Sequence, residues 1–353
     1  MYILAIDTSC DETSVAICKN DCVISNKISS QIELHKKWGG VVPGIAKRMH
    51  QENIDFVLQD ALHQARMSLE DIDAFAVTIG PGLAIALEVG IAKAKELATT
   101  YGKPFIGINH MEGHIYSALG KNSRGVGAKS YTFPLVALLI SGGHTEIVLM
   151  RSHGQYAILG KTLDDAVGEA YDKVARMLEL GYPGGPIIEQ LARNGDATRF
   201  TFPIPMSKNT TLDMSYSGLK TSLLYFVQRE VLPQKGVVTP AEYKQIICDV
   251  CAGFQNSVIQ SLTGKLSKAL RLAECESVAD IVVAGGVSAN TALRRVLRKE
   301  FGPTYSIHFP INNKMYGDNA GMIGIAAYFN ALRGNYTDPS SVDRSPNLSL
   351  PSC

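Results

Sequence analysis

No apolar run in this 353-residue chain approaches the roughly 20 residues that a helix needs to cross a bilayer. The opening, MYILAIDTSCDET, has no basic segment and meets an aspartate at position 7, so no secretory signal is expected and the chain is expected in the cytoplasm, off the membrane. Charge of one sign is not in excess: the net charge is +1, so a nucleic-acid partner is neither suggested nor excluded. The seven cysteines, at 10, 18, 22, 248, 251, 275 and 353, form no disulfide framework and read as reduced thiols. Cys248 and Cys251 make a lone C-x-x-C inside an apolar helical pattern. With no second pair to complete a zinc site, they read as core. Short-period repeats are missing. So are the P-loop G-x-x-x-x-G-K-[ST] and the dinucleotide G-x-G-x-x-G.

What is present is an ordinary globular composition, 46% hydrophobic and 19% charged, long enough for two domains. YILAIDTSCDETSVAICKNDCVISNKI is a pair of apolar runs around a small polar turn, the pattern of a β-hairpin. TFPLVALLISGGHTEIVLMRS repeats the plan about 130 residues later, a domain-length spacing that implies two similar domains in tandem. Helical and strand patterns alternate around the hairpins, which predicts α/β layers with a largely parallel sheet in each domain. DAVGEAYDKVARMLELG reads as a helix, YPGGP as a loop, and 240–273 as one long helix. The tail from Asn335 is rich in Ser, Pro and Asp and is expected to be extended or loosely docked.

Three glycine turns follow strands: TIGPG (78–82), LISGGHT (139–145) and VAGGVSAN (283–290). Such turns let backbone N–H groups reach phosphate oxygens, and several of them in paired domains are consistent with a nucleotide cleft. Asp164, Asp165, Glu169 and Asp172 cluster near a helix start. On spacing alone they complement the helix dipole. INHMEGHIYS places His110 and His114 on one helical face, as two ligands of one metal require. A zinc protease needs glutamate directly after the first histidine, and here that residue is Met111. Glu112 is rotated about 200° from His110 and has capping-box spacing from Asn109. Asp318, in YGDNAGMIG, reads either as a helix N-cap or as a third metal ligand. Two histidines and a carboxylate would suit Fe(II) or Zn(II).

Taken together, IDTSCDETSVAI, HMEGHIYS, LLISGGHTEI, DDAVGEAYDKVARMLELGYPGGP, YSGLKT, VAGGVSANTALR and YGDNAGMIG closely resemble the bacterial TsaD family, tRNA adenosine threonylcarbamoyltransferases once labelled O-sialoglycoprotein endopeptidases. SGGHT, with His144, resembles the bacterial branch. The resemblance implies an actin/Hsp70-like (ASKHA) fold. Its expected units are residues 1–109 with about 312–334, residues 110–311, and a tail of 335–353. It implies transfer of a threonylcarbamoyl group from threonylcarbamoyl-AMP to N6 of the adenosine beside the anticodon, with release of AMP, in tRNAs reading codons that begin with A. It carries the metal ligands onto His110, His114 and Asp318. The nucleotide contacts fall on Leu139, Ile140, Ser141, Gly142, Gly143, Asp172, Gly185 and Asn290, with Glu189 added. Asp11 is a candidate for assisting proton removal from the amine, and Asp7 for positioning the phosphate region. TsaB-like and TsaE-like proteins are the implied partners. Arg294–Lys299 and Lys265–Arg271 are basic but read as solvated helix faces. The rival readings are a metalloprotease, a small-molecule kinase of the same fold, and a nucleotide-binding scaffold.

Overall fold

A computed structural model describes residues 1–128, 130–273 and 277–351; Cys275 and Cys353 lie outside the described residues. Two mixed sheets carry the fold. The first has the order β5(Phe105–Asn109)–β4(Ala74–Gly80)–β1(Tyr2–Asp7)–β2(Glu12–Lys19)–β3(Cys22–Ser30)–β6(Lys121–Asn122). The second has β11(Ser306–His308)–β10(Asp280–Ala284)–β7(Leu135–Ile140)–β8(Thr145–Ser152)–β9(Gln155–Lys161). The helices are α1(Ile32–His35), α2(Pro43–Ala65), α3(Ala84–Tyr101), α4(His110–Ser117), α5(Val167–Met177), α6(Gly184–Ala192), α7(Ser217–Phe226), α8(Pro240–Ala273), α9(Thr291–Glu300) and α10(Ala320–Leu332).

The expectation of largely parallel sheets needs correction. β5, β4 and β1 run parallel, but β1–β2 and β2–β3 pair antiparallel. The second sheet repeats this, with β11, β10 and β7 parallel and β7–β8–β9 antiparallel. Short turns between consecutive strands can only give antiparallel pairs, whereas helical crossovers give parallel ones. The first sheet, with β3–β6 also parallel, thus has three parallel and two antiparallel pairings, and the second has two of each.

Strand periodicity divides the core into layers. In β1, Leu4 and Ile6 pack with α2 and α3, while Ile3 and Ala5 face the other way. That other face meets α4 and α10, which also contact the inner face of the second sheet through Leu139, Val148 and Val282. The outer face of the second sheet is covered by α5 to α9. The sheets thus sandwich a central helical layer. α10 (AGMIGIAAYFNAL) is apolar on nearly all sides, as a helix covered on both flanks must be. Small residues let it approach closely: a Cβ on Gly324 would lie 2.4 Å from Cys18 Sγ.

Two further expectations change. YPGGP is a loop only as far as Pro183, because Gly184 opens α6. The tail has no regular structure, but it is firmly docked rather than loose. Thr337 N donates to Phe105 O (2.8 Å), Ser345 N to Ile79 O (2.8 Å), and Gly82 N to Pro346 O (3.1 Å). Leu350 is buried in the central layer. Cys248 and Cys251 are buried free thiols of α8, as the core reading expects.

Candidate active site and metal centre

The two hairpin turns and the starts of α4 and α10 converge at one end of the sheets. α4 begins directly after β5 because Asn109 caps it: its Oδ1 accepts from Met111 N (2.8 Å) and Glu112 N (3.3 Å). His110 and His114 then stand one turn apart, both buried, their ring centroids 4.6 Å apart. Asp318 is not the cap of α10. Asn319 takes that role, accepting from Met322 N (3.1 Å) and held by Asn26 Nδ2 (3.1 Å). Asp318 is thereby left free to turn toward the histidines. Its Oδ1 lies 3.3 Å from His110 Nε2 and 3.4 Å from His114 Nε2.

Among the described residues this is the only group of donors that could hold one metal ion. The geometry fits. Ligands about 2.0–2.1 Å from a tetrahedral ion stand about 3.3–3.4 Å apart. The Nε2 of His114 is buried with no aligned hydrogen-bond partner, as is Nδ1 of both rings. Burial disfavours charge on His110, but Asp318 and Asp7 outweigh it and hold the ring up at about 9. Burial pushes His114 down. Burial alone would raise Asp318, yet the two histidines hold it well below the usual carboxylate range. A partly exposed carboxylate facing two buried imidazoles leaves an open side from which a divalent cation could be reached.

Glu112 points away from this centre, accepting from Tyr156 Oη (2.9 Å) and Asn330 Nδ2 (3.1 Å). The reciprocal half of the expected capping box is therefore not made. Instead, Asn109 Nδ2 donates to Leu348 O (3.4 Å) and Ser349 O (3.0 Å) of the tail.

Asp7 is fully buried at the end of β1. It accepts from Thr78 Oγ1 (2.8 Å), and its Oδ1 lies 3.9 Å from His110 Nδ1. Asp11 lies in the first turn, and its charge acts on Tyr182 and Asp172. In the second turn Gly142 and Gly143 are exposed, with open space where a Cβ would stand. Ser141 Oγ accepts from His144 N (3.1 Å) and fixes the turn. Leu139 and Ile140 are core side chains in the ladder, so only their backbone could meet a ligand. Asp172 is pushed up, first by burial. Its Oδ1 accepts from Gly184 N (2.7 Å) and so fixes the start of α6, where Gly185 lies open. Two expected contacts have their side chains engaged elsewhere. Asn290 caps α9 and donates to Gln255 Oε1 (2.7 Å). Glu189 accepts from Thr291 N (3.0 Å) and Arg193 Nη2 (2.9 Å).

Sequence reasoning missed two carboxylates here. Glu12 is pushed well up by burial and by Asp11 and Asp318. Its only signal was adjacency to Asp11. Glu146, on β8, has a buried Oε2 with no hydrogen-bond partner. A charged residue on the inward alternation of a buried strand was its signal. His144 is lowered to about 4 by burial and by the charges of His110 and His114. A larger cavity of about 740 Å³ opens elsewhere, between α7 and α8 at Phe200, Tyr225 and Ile246. Its carboxylates, Glu230 and Glu242, belong to no group of donors among the described residues that could hold one ion.

Two linked sheets around a shared helical layer, with a turn from each facing one group of donors, define the actin-like α/β class. The HypF structure from T. kodakarensis shares this architecture at TM-score 0.61 and 12% identity, over 95% of this chain and 48% of that one. A family model described as TsaD, tRNA N6-adenosine threonylcarbamoyltransferase, matches residues 22–325. Proteins with that description from Clostridium kluyveri and Thermosipho africanus are each 44% identical, over 99% of this chain and 98% and 100% of theirs. The chain belongs to the TsaD family, and by that membership it is a transferase that modifies tRNA.

Proposed function

We propose that this chain transfers the threonylcarbamoyl group of threonylcarbamoyl-AMP to the N6 amine of the adenosine beside the anticodon, releasing AMP, in tRNAs reading codons that begin with A. The observation that carries the reading is the His110–His114–Asp318 group beside an open Ser141–Gly143 turn. Bound at that group, Fe(II) or Zn(II) would supply Lewis-acid polarisation of the donor's carbamoyl or phosphate oxygens.

The remaining chemistry belongs to this chain's own residues. Gly142 and Gly143 offer backbone N–H groups to the phosphate. Asp172 and Gly185 take the ribose and base of the donor, with Asp11 on the same side because its charge reaches Asp172. Asp7 places negative charge behind the His110 ring, 3.9 Å from its Nδ1. Glu189 and Asn290 shape the nucleotide end by holding α9. No Ser or Cys nucleophile is required, since AMP is already a good leaving group. The protease reading loses its base to Met111, and Glu112 is bound to Tyr156 and Asn330 on the far side of the helix. TsaB-like and TsaE-like partners complete the cytoplasmic assembly in this proposal.

The test supplies the chain, both partner proteins and a threonylcarbamoyl-AMP synthase with tRNA, ATP, bicarbonate and labelled threonine. Label should enter tRNA only when this chain is present. Absence of transfer where a homologous assembly works would overturn the reading.

A further inference from the structure

A pocket of about 300 Å³ lies on the tail side of the metal centre. One wall is the second hairpin, from Gly143 to Glu146, and the opposite wall is tail backbone from Pro346 to Leu350. Met111, the neighbour of His110, closes the back, and exposed Lys161 stands at the mouth. The hydrogen bonds from Asn109 to Leu348 and Ser349 hold the tail wall to the first turn of α4. Glu146 lines the pocket, and its Oε2 is buried within that wall without a hydrogen-bond partner. Leaving such an oxygen unpaired is costly unless a ligand donates to it.

We propose that this pocket is the acceptor compartment, which receives the target purine of the tRNA with its exocyclic amine against Glu146, and that Glu146 takes the amine proton during transfer. The inference rests on the transferase reading above. Several observations favour a base over the donor. The volume is at the lower end for small-molecule sites and suits a single base rather than a nucleotide. Glu146 would repel the carboxylate of the donor's threonine, whereas an amine donates hydrogen bonds to it. Proline and leucine of the tail and Met111 give apolar walls, and Lys161 can meet a phosphate beside an extruded nucleotide. The pocket adjoins the chemistry, because His144 lines it and feels the charges of His110 and His114. Burial, opposed by Lys161, pushes the Glu146 carboxyl up, which strengthens it as a base.

In the step itself, the amine nitrogen forms a bond to the carbamoyl carbon. The bond from that carbon to the phosphate oxygen breaks, and AMP leaves with the electron pair. The proton released from the amine passes to Glu146.

The experiment uses the full assembly with preformed threonylcarbamoyl-AMP and tRNA, in single turnover with enzyme in excess. Glu146→Gln should keep wild-type metal content and tRNA affinity yet transfer at least about 100-fold more slowly. Glu146→Asp should recover part of the rate. A second variant, Ser349→Trp, fills the pocket from the tail. It should bind threonylcarbamoyl-AMP but fail to unstack the target adenosine, read by the fluorescence of a 2-aminopurine placed next to that adenosine. Wild-type rates in Glu146→Gln, or unaltered fluorescence response in Ser349→Trp, would overturn the acceptor compartment alone. Failure of the wild-type assembly to transfer at all would instead sink the transferase reading.

Discussion

Asn109 shows how one side chain can serve two structures. Its oxygen caps α4 and its amide holds the tail. Asn109→Asp keeps the acceptor and suits the helix dipole, but it loses the donor. We expect α4 to persist while the tail becomes labile, visible as faster amide exchange and proteolysis at residues 345–350. Glu112 carries the opposite lesson. Its spacing indicated a cap, and its direction away from the metal was readable at 3.6 residues per turn. Its actual partners, Tyr156 and Asn330, lie 44 and 218 residues away and leave no local mark. Glu112→Ala strips two buried donors of their acceptor and should cost about 2–3 kcal/mol in urea unfolding. Asp318 was readable as cap or ligand, and the adjacent Asn319 decides the matter by taking the cap. For the ligands, His110→Ala should release most of the bound metal, read by elemental analysis of the purified protein. Unchanged content would remove the residue from the site.

At the scale of elements, the hairpins, the long α8 and the strand ends of the glycine turns were legible, because periodicity and turn chemistry are local. Sheet direction was readable in principle from the same hairpins, since short turns force antiparallel pairs, but the alternation with helices dominated the reading. The start of α6 was not readable, because Gly184–Gly185–Pro186 carries loop chemistry. It is Asp172, 12 residues earlier, that accepts from Gly184 N. The central layer depends on small residues. Gly324→Ala gains helix propensity of about 1 kcal/mol, but its Cβ meets Cys18 Sγ at 2.4 Å. Overpacking of this kind costs about 1–3 kcal/mol, so net destabilisation is expected. Cys18→Ala in the same chain should restore most of it, a coupling that a double-mutant cycle measures.

For the molecule as a whole, two tandem domains were visible from repeated hairpins, while the meeting of Asp7, His110 and Asp318 was not. No periodicity links such distant residues: spacing paired His110 with His114 and left Asp318 open between cap and ligand, and the resemblance chose the ligand role. The sequence left the tail either extended or loosely docked, and could not choose, because its docking uses backbone hydrogen bonds, which any sequence can make. The second sheet's far edge is held by Asp280, which accepts from Thr132 N (3.0 Å) and pairs with His308 Nε2 (2.7 Å). Burial alone would raise this carboxyl, but His308 and Thr132 outweigh it and lower it. A lowered acid stabilises the fold above its ordinary value, near 4, and loses that contribution as pH falls through the folded value. Asp280→Asn should therefore be less stable than wild type at pH 7, with the gap narrowing below about pH 4 in thermal melts.

The long chain separations within the site also set a requirement. His110 lies early in the chain, but its cap is tied to Ser349 and its companion ligand is Asp318. The first hairpin can close through local pairing alone, whereas the donor group and the tail contact to Asn109 need residues more than 200 positions apart. The donor group is thus a property of the whole fold, and no fragment that stops short of Asp318 can assemble it.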